Sequence, residues 1–147
     1  MKQVHLVVGI LAITLMGAVT VYGAWAWWRV RPRVWFWRLL RAAQAVVVVQ
    51  VALGGILVLS GRKPHGLHVL YGVLPLLVSL IAESLRAGAA QMVRDARGYD
   101  SAAAVGKQPP EEQQAVVMEI LHREFGLVAI AALVIVVLLL RAAQTAG

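Results

Sequence analysis

Four histidines carry most of the chemistry that this sequence could support, since the chain contains no cysteine. Two of them, His5 and His68, are each followed four residues later by a glycine, Gly9 and Gly72. Residues at i and i+4 share one face of a helix, so each glycine would leave a flat recess one turn from an imidazole. Imidazole is a common metal ligand. The pattern therefore favours a planar, metal-containing ligand, whereas the lack of cysteine excludes disulfides, iron–sulfur clusters and thiol catalysis.

The composition places these histidines in a membrane protein. Of 147 residues, 61% are apolar and 14% are charged, against roughly 45–50% and 25% in soluble domains. A chain of this length cannot hide so much apolar surface from water, so lipid must cover it. The formal net charge of +7 then serves first to set topology, and we expect no nucleic-acid partner.

The apolar runs predict a single all-α domain, a bundle of four transmembrane helices over residues 1–147. About 20 helical residues cross the hydrocarbon core, and backbone polar groups in lipid must be satisfied within each segment. The first run is longer than the ~7–15 apolar residues of a signal peptide, so we interpret it as a retained helix. The predicted spans cover residues 4–28, 39–60, 66–85 and 124–143.

The distribution of lysine and arginine predicts the orientation. Ten lie in the connections after the first and third spans, and four lie at the other side. By the positive-inside rule both termini are outside, in a multi-pass protein of the cytoplasmic membrane. The five tryptophans are expected to form an aromatic belt at the inner interface. They are Trp25, Trp27, Trp28, Trp35 and Trp37.

The long inner connection is predicted to be a helical hairpin. Residues 86–98 have helical character and would extend the third span, while residues 98–110 contain two glycines and two prolines and predict a turn. Pro110 suits the first turn of a new helix. Glu83 is expected at the inner interface near Arg86, three residues further on.

The topology brings the histidines into one layer. His5 and His68 open spans that both run inward, so they lie at similar depth near the outer surface. The second span carries Gly54 and Gly55 roughly 8 Å below its outer end, with Gln50 one turn deeper. Two imidazoles facing each other across a bundle, with glycines between them, suit haem b with two axial histidines.

Other residues are candidates to bind the propionates or to replace one of the two histidine ligands. Arg62 and Lys63, in the outer loop, could meet the haem propionates. His65 in the same loop is an alternative ligand, whereas His122 is expected at the inner surface without a histidine partner. The competing interpretation is that the histidines lie in the headgroup layer and the glycines serve helix packing.

The second and third spans carry a resemblance to a known family. The stretch from Gln50 through Leu53-Gly54-Gly55 to Gly61, followed by Pro64 and Leu67-His68, resembles the third and fourth helices of heme A synthases. His5, Gly9, Ala12 and the Trp- and Arg-rich turn that follows are similar to the family's second helix. The resemblance covers about residues 1–85.

The resemblance implies a role for the two histidines. Heme A synthases are built from two four-helix halves, each of which binds haem through two histidines at outer helix ends, so His5 and His68 would be the axial pair. The family's catalytic half has a Glu and an Arg beside the first histidine, where this chain has Lys2 and Leu6. The resemblance therefore implies haem binding and leaves oxidation of a haem methyl group, and hence enzyme activity, in doubt.

Two functions follow as hypotheses. The first is a b-type haem protein that acts in membrane electron transfer or in haem handling for respiratory oxidases. The second is a haem-free accessory subunit that packs its glycine-rich surface against a larger membrane complex. Pairing of two such chains into a homo-oligomer would restore the eight spans of a heme A synthase. A transporter is disfavoured, because no repeat of broken helices is visible.

Overall fold

The computed structural model describes residues 2–29 and 34–145, and within them it confirms the all-helical prediction. Four helices are long and apolar enough to cross a membrane. A fifth is a single short turn. In chain order the helices are α1 (Lys2–Arg29), α2 (Val34–Leu59), α3 (Gly66–Ala96), α4 (Ala102–Gly106) and α5 (Pro110–Gln144). Arg31 and Arg33, counted in the predicted topology, lie outside the described residues.

The four long helices form a bundle in which α1 and α3 are diagonally opposite. Both pack extensively against α5, whereas α2 packs against α1 and more sparsely against α3. Small residues permit the close approach of α1 and α5. A Cβ added at Gly23 would lie 3.3 Å from the Cβ of Ala129, which explains the absence of a side chain there.

The outer surface of the bundle is apolar along the four long helices. Leu6, Val21 and Ile130 are more than half exposed, as are other branched side chains on the same faces. A soluble protein would not leave so much contiguous apolar surface open to water. The structure therefore supports a membrane environment for the bundle.

An aromatic cluster fills one end of the bundle. The ring of Phe36 packs edge-on against Phe125 and Trp37, and Trp37 stacks on Phe125 at a centroid distance of 5.6 Å. Trp37 is consequently half-buried within the bundle, where the guanidinium of Arg86 covers its ring. Trp37 therefore packs between α2 and α5, and the aromatic belt at the inner interface stays a prediction.

The hairpin between α3 and α5 extends both helices beyond their predicted spans. Continuing to Ala96, α3 ends where Gly98 takes a positive φ of 74°, a conformation that favours glycine. The connection is not simply a turn, since it contains α4. Ser101 caps this helix by accepting a hydrogen bond from the Ala104 amide at 3.2 Å, and the alanines that follow are strong helix formers.

Candidate functional site

The side chains of His5 and His68 meet across the diagonal of the bundle. Each lies in the first turn of its helix, α1 or α3, and the two ring centroids are 6.1 Å apart with an interplanar angle of 67°. Both side chains are half-buried. The sequence predicts that they share one depth, and the structure places them side by side at the ends of the two helices.

The ring of His68 is oriented by the backbone of α5. Its Nδ1 atom lies 2.8 Å from the carbonyl oxygen of Ala142. Because a carbonyl oxygen can only accept, Nδ1 carries the proton and donates it, and the lone pair of Nε2 remains free. This hydrogen bond to a backbone carbonyl is the arrangement that metal-ligating histidines usually have.

The ring of His5 faces Gln50 on α2. The Nε2 atoms of the two side chains are 3.3 Å apart, so the amide donates and the imidazole accepts. The Nδ1 atom of His5 and the Oε1 atom of Gln50 are both buried, and neither has a hydrogen-bond partner in the described part of the chain. Two orphaned polar atoms in neighbouring side chains are costly, and they mark the place where this polar cluster is incomplete.

The four glycines predicted to line the site are not equivalent. A Cβ at Gly9 would lie 2.9 Å from Nε2 of Gln50, so the recess expected there is filled by that amide. A Cβ at Gly54 would lie 3.4 Å from Cε1 of His5. A Cβ at Gly55 or at Gly72 would meet nothing within 4 Å among the described residues. The positions with open space beside them are therefore on α2 and α3.

The remaining predicted residues surround the pair at this end of the bundle. Arg62, Lys63 and His65 are exposed between α2 and α3, and no hydrogen bond within the described residues joins them to either histidine. His65 lines a surface cavity with Leu67 and the end of α5. It precedes α3 and is more exposed than His68, which makes it the less favourable ligand.

His122 lies at the opposite end of the bundle and has a partner that the sequence analysis missed. Its Nε2 atom accepts a hydrogen bond of 2.9 Å from the indole of Trp27. A Cβ at Gly126 would lie 2.8 Å from the same indole. His122 and Gly126 have the same four-residue spacing as His5–Gly9 and His68–Gly72, but the space beside this third His–Gly pair is filled by Trp27. Trp27 is 22 residues, or roughly 33 Å of helix, from His5.

A polar cluster around Glu83 joins α2 to α3. The Glu83 carboxylate forms an ion pair at 3.0 Å with Arg86, the residue that the sequence predicts to lie near it. It also accepts hydrogen bonds from Arg41 at 3.0 Å and from Gln44 at 2.9 Å, and Gln44 donates to Ser79 as well. Sequence reasoning missed the contribution of α2, although Gln44 interrupts an otherwise apolar run and thereby signals a polar partner.

A second polar cluster closes the hairpin. Arg97 pairs with Glu119 and with Glu112, both at 2.8 Å, and Tyr99 donates to Glu112. Glu119 and then Glu112 raise the pKa of the Arg97 guanidinium. Partial desolvation, followed by the contact with Glu112, raises the pKa of Tyr99. These ion pairs tie the end of α3 to the start of α5.

The separation of the two histidine rings matches that of two imidazole ligands of one metal ion. Within residues 2–29 and 34–145, no cluster of three or more His, Asp or Glu side chains could hold a bare metal ion. Metal–imidazole bonds are ~2.0–2.1 Å, so imidazoles on opposite sides of one ion have centroids roughly 6 Å apart. The separation of His5 and His68 has this value. The Gln50 amide must move away from the Nε2 atom of His5 for both rings to bind.

Comparison of the chain with known protein families, with curated proteins and with solved structures finds no match.

Proposed function

We propose that the chain is a b-type haem protein of the cytoplasmic membrane, with His5 and His68 as the axial ligands of one haem iron. The observation that supports this most is the facing imidazole pair, with the Nδ1 proton of His68 donated to a backbone carbonyl. Such a protein resembles one half of a heme A synthase. Its role would be electron transfer or haem handling for respiratory oxidases.

The orphaned atoms support a specific rearrangement in the haem-bound state. A rotation of the His5 ring that turns Nδ1 toward Gln50 would pair Nδ1–H with Oε1, the two atoms that now lack partners. The Nε2 lone pair of His5 would then be free for iron. After this change both axial histidines would donate Nδ1–H to an oxygen, of Gln50 or of Ala142, which fixes the ring tautomer and raises ligand basicity.

The chain's other residues would bind and orient the group. We place its plane in the open space beside Gly55 and Gly72, where the cations of Arg62 and Lys63 suit its propionates. Bound haem would supply one-electron redox chemistry. In the proposed orientation both termini and this site face the outside, since most lysines and arginines lie toward the other end.

We expect no oxidation of a haem methyl group by this chain alone. All seven acidic residues fall between Glu83 and Glu124, and Lys2 stands where heme A synthases have an acidic residue. No carboxylate would therefore be close enough to the site to act as a general base or to stabilise a cation.

A haem-free accessory subunit remains the second candidate, and one observation favours it. The Gln50 amide already fills the recess at Gly9 and donates a hydrogen bond to His5. Part of the space and of the hydrogen-bonding capacity at the site is therefore used without a ligand. In that case the surfaces at Gly55 and Gly72 would receive helices of a larger membrane complex, or of a second copy of this chain.

The visible spectrum of protein purified from haem-supplemented cells distinguishes the two functions. The haem proposal predicts about one haem per chain and, after reduction, the sharp, split α and β bands of low-spin haem. A His68→Ala variant should lose these bands, whereas His122→Ala should keep them. A colourless wild-type preparation would contradict the haem proposal and support the accessory subunit.

A further inference from the structure

Two arginines at the tryptophan-rich end of the bundle are held over exposed indole rings. The guanidinium of Arg29 lies 5.2 Å from the ring centroid of Trp28, and that of Arg38 lies 5.0 Å from the ring centroid of Trp35. Both distances are within the range of cation–π contacts. Trp28 is 79% exposed and Trp35 is 69% exposed, so the stacked groups lie on the surface rather than in the core.

No carboxylate of the described residues forms an ion pair with either arginine. The ion pairs among the described residues involve other arginines, namely Arg41, Arg86, Arg97 and Arg123. Every acidic residue of the chain lies between positions 83 and 124. The first turn of α2 contains no acidic residue, so its positive N-terminal end adds to the charge of Arg38. This end of α1 and α2 therefore has positive charge that the described residues do not neutralise.

The surroundings of the two arginines favour a lipid over a soluble anion. Arg29 ends one helix that is long and apolar enough to cross a membrane, and Arg38 lies near the start of another. The indoles beneath them are the side chains that prefer the depth of lipid headgroups. An anionic phospholipid offers a phosphate to the guanidinium groups and acyl chains to the apolar helix faces above them. A free phosphate ion would use only the first of these features.

We propose that the end of α1 and the start of α2, where Arg29 stacks on Trp28 and Arg38 on Trp35, form a site for the headgroups of anionic phospholipids. The bidentate geometry of a guanidinium suits a phosphate, and stacking on indole holds each guanidinium at the membrane surface. This site is separate from the histidine pair and does not depend on haem binding.

The position of the tryptophans makes the site testable by fluorescence. All five lie between residues 25 and 37, so the intrinsic emission of the chain reports on this end alone. The protein is reconstituted in phosphatidylcholine vesicles that contain a small, equal fraction of brominated phosphatidylglycerol or brominated phosphatidylcholine. Since each arginine near the surface enriches anionic lipid by roughly fivefold, brominated phosphatidylglycerol should quench more strongly at the same fraction.

Variants decide whether the arginines cause the preference. Arg29→Gln with Arg38→Gln should abolish the excess quenching. The pair Arg29→Lys and Arg38→Lys keeps the charge but loses the bidentate, stacked guanidinium, so it should retain only part of the excess quenching. It also shows that substitution at these positions is compatible with insertion. The matched control, Lys2→Gln with Arg141→Gln, removes two charges from the opposite end and should behave as wild type.

Two results would overturn the lipid site. One is equal quenching by the two brominated lipids in the wild-type protein. The other is loss of the excess quenching when millimolar inorganic phosphate is added at constant ionic strength, because that would identify a site for free phosphate instead.

Discussion

The Nδ1 atom of His68, in the first turn of α3, lies 2.8 Å from the carbonyl oxygen of Ala142, near the end of α5. A residue 74 positions away thus fixes the tautomer of the imidazole and directs its Nε2 lone pair away from α5. His5 is the ring that it meets across the bundle. The end of α5 is therefore part of the site, although it contributes no side chain to it.

Replacing Gly72 with leucine should prevent haem binding without weakening the fold. A side chain at Gly72 would enter open space in this structure and would occupy the volume that the haem plane needs. Leucine also favours a helix over glycine by up to ~1 kcal/mol. We expect the purified variant to keep its helical circular dichroism and thermal stability while its Soret absorbance falls severalfold.

The matched control for this experiment is Gly88→Leu, further along α3. Gly88 also has open space around it in the described residues but lies 20 residues from His68, so this variant should bind haem normally. If Gly72→Leu retains full haem content, the plane of the ligand does not lie against α3.

Replacing Gln50 with leucine should raise the midpoint potential of the bound haem. In the proposed haem-bound state the Oε1 atom of Gln50 accepts the Nδ1 proton of His5, and loss of that acceptor makes the ligand less basic. Redox titration of the reduced-minus-oxidised spectrum measures the shift. Thr14→Val, which removes a hydroxyl bonded only to its own helix at Ile10, serves as the control. An unchanged potential in Gln50→Leu would exclude Gln50 as a positioning residue.

Replacing Gly126 with alanine should destabilise the bundle. The added Cβ would lie 2.8 Å from Cε2 and 3.0 Å from Nε1 of Trp27, so the indole must move and its hydrogen bond to His122 weakens. Overpacking of this kind typically lowers the free energy of unfolding by about 1–3 kcal/mol, and we expect a loss in this range. The free energy of unfolding in a denaturing detergent measures the effect.

Gly17→Ala is the control for that substitution, because a Cβ at Gly17 meets nothing within 4 Å in the described part of the chain. It should leave stability unchanged or slightly raised. The haem spectrum should survive in both variants, because Gly126 lies far from the histidine pair. Equal stability of the two variants would mean that the Trp27 contact contributes little.

The proposed orientation predicts opposite accessibility for the two ends of the bundle. Cysteines introduced at Arg62 and at Ser101, in a chain that otherwise has none, should react with a membrane-impermeant maleimide from opposite sides. In intact cells only the cysteine at position 62 should be labelled. Labelling at position 101 instead would invert the topology and move the histidine pair to the cytoplasmic side.

Much of the helical framework follows from the sequence. Four apolar runs of sufficient length predict the four long helices, and the alternation of their directions predicts that His5 and His68 lie at one end. The short helix α4 was not predicted. Its three alanines and one valine, between Ser101 and Gly106, are too few to show a periodic pattern. Ser101, a residue type that often caps helices and does so here, was the one sequence signal for this helix.

The details of the site depend on packing that no local pattern encodes. The Ala142 carbonyl is a backbone atom of an ordinary apolar helix, so nothing in the sequence marks it as the partner of His68. Likewise, only the distance between α1 and α2 decides that Gln50 fills the recess at Gly9. The contact of Trp27 with His122 joins residues 95 positions apart, and the His–Gly spacing alone could not distinguish this pair from the other two.

The most direct test of the central claim is chemical rescue of the ligand at His5. The His5→Ala variant should bind haem weakly and lack the low-spin bands, because a single axial imidazole from His68 remains. Addition of free imidazole, which fits the space vacated by the side chain, should restore the low-spin spectrum. A His5→Ala variant whose spectrum is the same as that of the wild type, with or without imidazole, would contradict the assignment of His5 and His68 as the axial pair.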